Sequence, residues 1–398
     1  MNSKQLTLLI LLCIVLGGLG WLAWNKQQDA YSESAALLGE KLLPNFPLND
    51  VTQITIRQPA HTIALAKKDE VWVVVDRGDY PANFSNISDL LKKFWESKVA
   101  KPVKVGPSRL PQLELVGPDK GSGTLVEFKA KDGKALPSVL LGAKTMREAG
   151  AEAAAFGGGA FPNGRYVMVG GDPKHVALIT ETFASADGKA DEWLNKDWFK
   201  VEKIKSVSVV GTNATNNFKV LRDSEAAEWS LVDAKGEEKL DNAKAGGVFT
   251  ALSSPSFLDV STNGNAEATG LGKPQVTATI ETFDGFTYTA KIGSTSGEGD
   301  DRFFQFALAA NFPKERTPGK EEKPEDKAKL DQEFTDHLKK LEERLKTDLA
   351  YTKRAYLVSK WTIDPLLKDR KDLLVEKKEE PKAEDQTPPV PFALPPAK

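Results

Sequence analysis

Cysteine is almost absent. The one residue, Cys13, lies in an uncharged run near the N-terminus, so the rest of the chain can form no intramolecular disulfide, cysteine-based metal site or thiol nucleophile. Histidine is scarce as well: His61, His175 and His337 are the three present. None belongs to a spaced pair such as His-x-x-x-His, which leaves metal binding by histidine without a pattern. No Gly-x-Ser-x-Gly turn presents a serine. The glycine-rich "FGGGAF" at 156–161 lacks the Gly-Lys-Ser/Thr ending of a phosphate loop and reads as a hairpin tip. "GEGDDR" at 297–302 fails the alternating acidic pattern of a calcium loop and reads as a solvated turn. A formal net charge of −2 supplies no basic field, which disfavours nucleic acid as a partner. No residue is nominated as catalytic, cofactor-binding or metal-binding, and no cofactor is expected.

What is present begins with "LTLLILLCIVLGGLGWLAW", Leu6 to Trp24, which carries no charge. As a helix it would span roughly 28 Å, close to the hydrocarbon thickness of a bilayer. Trp21 and Trp24 close the run, and indoles favour the headgroup level. A cleaved secretory signal would be shorter and end in small residues rather than "WLAW". The expectation is a single-pass transmembrane anchor at 6–24 behind a short tail, 1–5. The bulk of the chain is expected outside the cytoplasm, in the periplasm or cell envelope.

After a linker at 25–48, in which Leu37, Leu38, Leu42 and Leu43 suggest a short helix, the chain repeats itself. Val51, Ile54 and Ile56 of "VTQITIRQ" match Ile204, Val207 and Val209 of "IKSVSVVG". Trp72 and Asp76 of "VWVVVD" match Trp229 and Asp233 of "WSLVD". Asp132-Gly133 matches Asp284-Gly285, and Gly142 matches Gly293. Four landmarks in one order, spaced about 150 residues apart, indicate an internal duplication too long for a solenoid. The expected units run from 49 to 202 and from 203 to 375.

Each unit reads as α+β, two tandem units of antiparallel strands with one or two helices each. Short β-branched runs separated by turn residues predict a meander. The Asp-Gly pairs predict hairpin turns. Ile87, Leu90, Leu91, Phe94 and Trp95 share one helical face, with Ser85 or Ser88 as N-cap. Its counterpart at 243–254 is weakened by glycine. "DEWLNKDWF" (191–199) and "DPLLKDRKDLL" (364–374) are expected as closing helices. Each repeated tryptophan is expected to start a strand that feeds its unit's core. Trp95, Trp193 and Trp198 are expected as core by helical spacing rather than as glycan-binding rings.

The second unit carries a charged insertion at about 313–351. Leu330, Phe334, Leu338, Leu341, Leu345 and Leu349 form a heptad-like stripe there, read as a helix packed on its own domain, with docking to a partner as the sharper alternative. Residues 376–398 turn from charged to Pro-rich and read as a disordered tail.

The anchor, the Ile-x-Ile strand, the Trp strand, the Gly-x-Pro entry to a strand pair in "GLGKP" (270–274) and the closing Leu-rich helix together resemble the bacterial membrane-anchored domain-of-unknown-function family 4340. The likeness covers about 50 to 375, one copy of the pattern in each half. In the first half "ELVGPDK" (114–120) only approximates the Gly-x-Pro entry, and the 313–351 insertion departs from the pattern. The resemblance implies no established activity and no site residues. It implies a role beside ABC-type transport systems by analogy alone. The expected function is a non-catalytic, membrane-tethered binding or scaffolding module with a protein partner. The competing class is an envelope hydrolase acting on carbohydrate through two carboxylates in a cleft between the units.

Overall fold

The computed structural model describes residues 37–148 and 159–376, apart from 187, 215–216, 263–265, 298, 317, 319–322 and 324–325. The expected anchor at 6–24, most of the linker and the tail beyond 376 lie outside the described residues. Among those described, no helix is long and apolar enough to cross a membrane. The chain divides into two compact units: one reaches Asp197 and takes in Leu258–Thr262, and the other comprises Trp198–Phe257 and the residues from Asn263 onward.

The α+β expectation is overturned. Two large, mostly antiparallel sheets dominate and helices are few. The first sheet has nine strands: β1 (Val51–Arg57), β2 (Thr62–Lys68), β3 (Val71–Val74), β4 (Tyr80–Pro81), β5 (Val99–Pro102), β6 (Thr124–Ala130), β7 (Val139–Arg147), β8 (Phe161–Val169) and β9 (Val176–Ile179). The second has eight: β10 (Ile204–Gly211), β11 (Phe218–Leu221), β12 (Ser230–Leu231), β13 (Asp259–Val260), β14 (Val276–Thr282), β15 (Phe286–Thr295), β16 (Arg302–Ala310) and β17 (Tyr356–Val358). Among the described residues four α-helices stand beside them: α1 (Phe84–Glu96), α2 (Asn242–Phe249), α3 (Lys327–Tyr351) and the single turn α4 (Lys360–Ile363).

Spatial order is β4-β3-β2-β1-β6-β7-β8-β9-β5 in the first sheet and β12-β11-β10-β14-β15-β16-β17-β13 in the second. With β4 set aside, every strand of one sheet has its counterpart at the same place in the other. The registers agree too. Ile56 faces Ile63 and Ile54 faces Leu65 in the first sheet, as Val209 faces Phe218 and Val207 faces Val220 in the second. A bulge follows Val51 on β1 and Ile204 on β10. The extra residue explains why Val51 and Ile54, or Ile204 and Val207, point inward together although three apart. Gly133 and Gly285 close matching three-residue hairpin loops at positive φ, their N–H groups donating to Ala130 O and Thr282 O.

In the first unit α1 lays Ile87, Leu90, Leu91 and Phe94 on the sheet, and Phe94 stacks on Phe183 at 4.2 Å. The N-cap is Asn83 rather than either serine, because its side chain is the one placed to accept from Asn86 N. A second cluster, Leu110, Leu115, Leu140, Met168 and Val176, fills the opposite side of this sheet beneath the segment around 103–116. In the second unit the core is aromatic. Trp198 packs edge-on to Phe199, Phe257 and Phe304.

The expected closing helices do not form. "DEWLNKDWF" gives one 3₁₀ turn, Ala190–Glu192, because Trp193, Leu194, Trp198 and Phe199 are all buried and no single helical face can bury both adjacent pairs. Pro365 limits the later segment to 3₁₀ turns at Asp364–Leu366 and Arg370–Leu373. Leu42 and Leu43 are buried in bends, not on a helix.

Register makes Trp72 and Trp229 equivalent, since Leu65 pairs with Val74 and Val220 with Leu231. Their surroundings differ. Trp72 is buried, whereas Trp229 is half-buried, stacked on Phe249 at 4.5 Å with Arg222 5.0 Å above the ring. The expectation of two core indoles therefore holds for Trp72 alone. Trp72→Ala is expected to cost about 4 kcal/mol in urea unfolding and Trp229→Ala about 1–2 kcal/mol.

Candidate functional site

Two places in the second unit gather polar chemistry. The first is a cleft of about 340 Å³ at the ends of β10 and β14, lined by Val209, Gly211, Thr212, Asn213, Gln275 and Val276 and by the segment Leu366–Asp369. Its floor is apolar, because β10 turns Val209 inward and the 3₁₀ turn before Leu367 buries Leu366. Its rim is polar. Lys368 Nζ donates to Lys244 O at 2.7 Å, and Asp369 caps the turn that follows through a capping box with Asp372. Asp369 is the one carboxylate in the lining, so the cleft offers no carboxylate pair of the kind glycoside hydrolysis uses.

The second is a buried ionic cluster under α3. Asp348 is 5% exposed and accepts from Tyr288 Oη at 3.2 Å. Arg344 Nε stands 3.6 Å from the same carboxylate, while its Nη1 donates to Glu202 at 2.7 Å and its Nη2 to Lys200 O. The guanidinium also lies 5.2 Å from the Phe286 ring. Burial pushes the Asp348 carboxyl above the ordinary carboxylate range, against the pull of Arg344 and the Tyr288 hydrogen bond. Burial likewise raises the Tyr288 phenol. The cluster fastens α3 to β15, which favours the reading of the charged helix as packed on its own domain. Its stripe is rotated from expectation. Leu341 and Asp348 are buried while Leu349 is 40% exposed.

Sequence reasoning missed this cluster, although a signal existed. Residues 341, 344, 345 and 348 share one helical face, so an Arg–Asp pair sits inside an apolar stripe. A second missed group is Arg165, buried on β8, which donates to the carbonyls of Gly142, Thr182 and Phe183. Burial pulls its guanidinium below its ordinary value. In the second unit Arg302 holds the equivalent place, donating to Gln275 and reaching Gly293 O at 3.5 Å.

The histidines do not converge. His61 is exposed between β1 and β2, His175 Nδ1 lies 3.5 Å from Asp172, and His337 Nε2 lies 3.7 Å from Asp284. Among the described residues no group of three or more metal-ligating side chains is found. "FGGGAF" lies largely outside the described residues, and in "GEGDDR" Asp300 meets Lys360 at 3.3 Å. Trp193 and Trp198 are buried, whereas Trp95 is 43% exposed with Lys41 Nζ 3.7 Å above its ring.

Residues 72–274, just over half of the chain, match the family described as domain of unknown function DUF4340. The chain belongs to that family. The DUF4340 match opens at Trp72 and closes at Pro274, two of the landmarks read from the sequence, and runs as one stretch from the first sheet into the second. No curated protein and no solved structure matches the chain.

Proposed function

We propose that this DUF4340 protein is a non-catalytic binding or scaffolding module of the cell envelope, held at a membrane through its uncharged segment 6–24 and built from two copies of one pattern. Shared strand order and shared registers support the two copies. What carries the binding reading is how the copies differ on one sheet face. In the first unit Leu125, Leu140, Tyr166 and Met168 are covered by the segment around 103–116. Register places Thr277, Lys291, Phe303 and Gln305 at the same positions in the second. That face continues through Ser208, Thr279, Thr289 and Ala307 in one cross-strand row. The first copy covers these positions with apolar chain, whereas in the second Lys291 and Ala307 are exposed and Ser208, Thr277, Thr279, Thr289 and Gln305 half-buried, a polar, hydrogen-bonding face suited to a protein partner.

The family resemblance supports, by analogy, association with an ABC-type transport system. Isolation at native abundance in mild detergent tests the reading. A reproducible partner should co-purify and be released by replacing Thr279 and Thr289 with Lys. Recovery of the protein alone, with no companion enriched, would count against it.

A further inference from the structure

The cleft of the second unit has a counterpart in the first, and there the chain fills it. Backbone bonds fix the correspondence. Asn83 N donates to Trp193 O and Asn195 N to Pro81 O in the first unit. Asp241 N donates to Leu373 O and Val375 N to Lys239 O in the second. Stepping back equally from Trp193 and Leu373 sets Gly188 against Lys368 and Ala186 against Leu366. The registers of β1 with β6 and of β10 with β14 set Gln58 against Gly211 and Thr124 against Val276.

In the first unit the Gln58 side chain occupies this place. Its Oε1 accepts from Gly188 N at 3.1 Å, and its Nε2 reaches Thr124 Oγ1 at 3.5 Å. In the second unit Gly211 has no side chain, and the equivalent region is open at about 340 Å³. Lys368 N stands in chain position for Gly188 N and has no hydrogen-bond acceptor among the described residues. A backbone donor left without a protein partner at the polar rim of a cleft with an apolar floor favours a ligand carbonyl.

We propose that this cleft binds a carboxamide, in the manner of the glutamine side chain that fills the first unit. The amide oxygen accepts from Lys368 N–H, and the methylenes lie against Val209 and Leu366. A neutral group is selected because Lys368 and Asp369 sit side by side in the lining and cancel, leaving no net field for an ion. Val276 in place of Thr124 removes the hydroxyl that faces the amide nitrogen, so recognition falls mainly on the carbonyl. The carboxamide could belong to a free small molecule or to a glutamine of a polypeptide. The inference rests on the shared registers and not on any partner, so co-purification can fail while it stands.

Methyl-labelled full-length protein titrated with N-acetyl-glutaminamide tests it. Val209, Val276, Leu366 and Leu367 methyl resonances should shift saturably, with half-saturation on the order of 1 mM for so small a ligand. N-acetyl-glutamate, similar in shape but charged, should bind at least about tenfold more weakly. A blocked peptide with one central glutamine separates the two sources: tighter binding than the single residue favours a polypeptide, and weaker binding a free amide. Gly211→Gln should restore the plug, abolish the titration and move the Lys368 amide proton downfield. An added Cβ there meets nothing closer than Gln275 O at 3.7 Å, so the variant should fold with an unchanged or raised melting temperature. An absence of saturable shifts, equal binding of the glutamate analogue, or an unaltered titration of Gly211→Gln would each overturn the proposal.

Discussion

Arg344→Met should lower the stability of the second unit by about 3 kcal/mol, read as a shift in the denaturant midpoint. The loss arises less from the missing ion pairs than from what they leave behind, a carboxylate at Asp348 buried under α3 with only Tyr288 to address it. Asp348→Asn alone should be nearly neutral, because the amide keeps a bond to Tyr288 and sheds the desolvation cost. Adding Asp348→Asn to Arg344→Met should recover most of the loss, a coupling that a double-mutant cycle reads directly. The pH dependence has a definite sign. Burial raises the folded-state pKa of Asp348 above its ordinary value, so the proton is held more tightly in the native state. Its contribution to stability is complete below the unfolded pKa and is lost as pH rises through the folded one. Wild type should therefore gain stability relative to Asp348→Asn on acidification from neutral pH, and Arg344→Met should gain more steeply relative to its own Asp348→Asn double variant. A difference independent of pH would show that Asp348 is already neutral at pH 7.

The second large effect is expected at Gly293. A methyl group there would be driven into the carbonyl oxygen of Thr269 and against Leu271. Neither can withdraw, since Ser294 N donates back to Thr269 O and Leu271 is buried. Gly293→Ala should cost about 3 kcal/mol or more. Gly142 holds the same place in the first unit, facing Leu113 O and Leu115, and Gly142→Ala should cost a similar amount there. In each unit a crossing segment turns at positive φ, at Glu114 or at Gly270, and then passes over the glycine. Unfolding monitored separately for the two units would reveal whether either substitution acts only on its own sheet. Loss of less than about 1 kcal/mol at both sites would mean that the crossing segments yield easily.

Much of the sheet architecture was legible because it rests on local period. Ile54 and Ile56, or Val207 and Val209, alternate in a way only a strand can use, and α1 showed five apolar residues on one face. The Asp-Gly pairs marked hairpins because positive φ is local chemistry as well. What the sequence hid depends on distance. Arg165 and Arg302 look like ordinary strand-end cations until the carbonyls of Gly142 and Gly293 come beside them. The closing segments misled because Trp193-Leu194 and Trp198-Phe199 are rich in apolar residues without helical spacing, and composition outweighed periodicity. The α+β expectation failed for the same reason, with two of its helices drawn from those segments. The cleft was invisible in either unit alone. It emerges when Gly211 is set against Gln58 at one register position.

The borders of both sheets have a bearing on how the molecule can be approached. Two-residue strands, Tyr80–Pro81, Ser230–Leu231 and Asp259–Val260, end three of the four margins. The fourth, Val99–Pro102, finishes in a proline that has no N–H to give. A foreign polypeptide seeking to extend either sheet by strand addition would find almost no unpaired main chain to grip. Strand addition is thereby closed to a partner, and neighbouring copies crowded together have little means of zipping into fibrils.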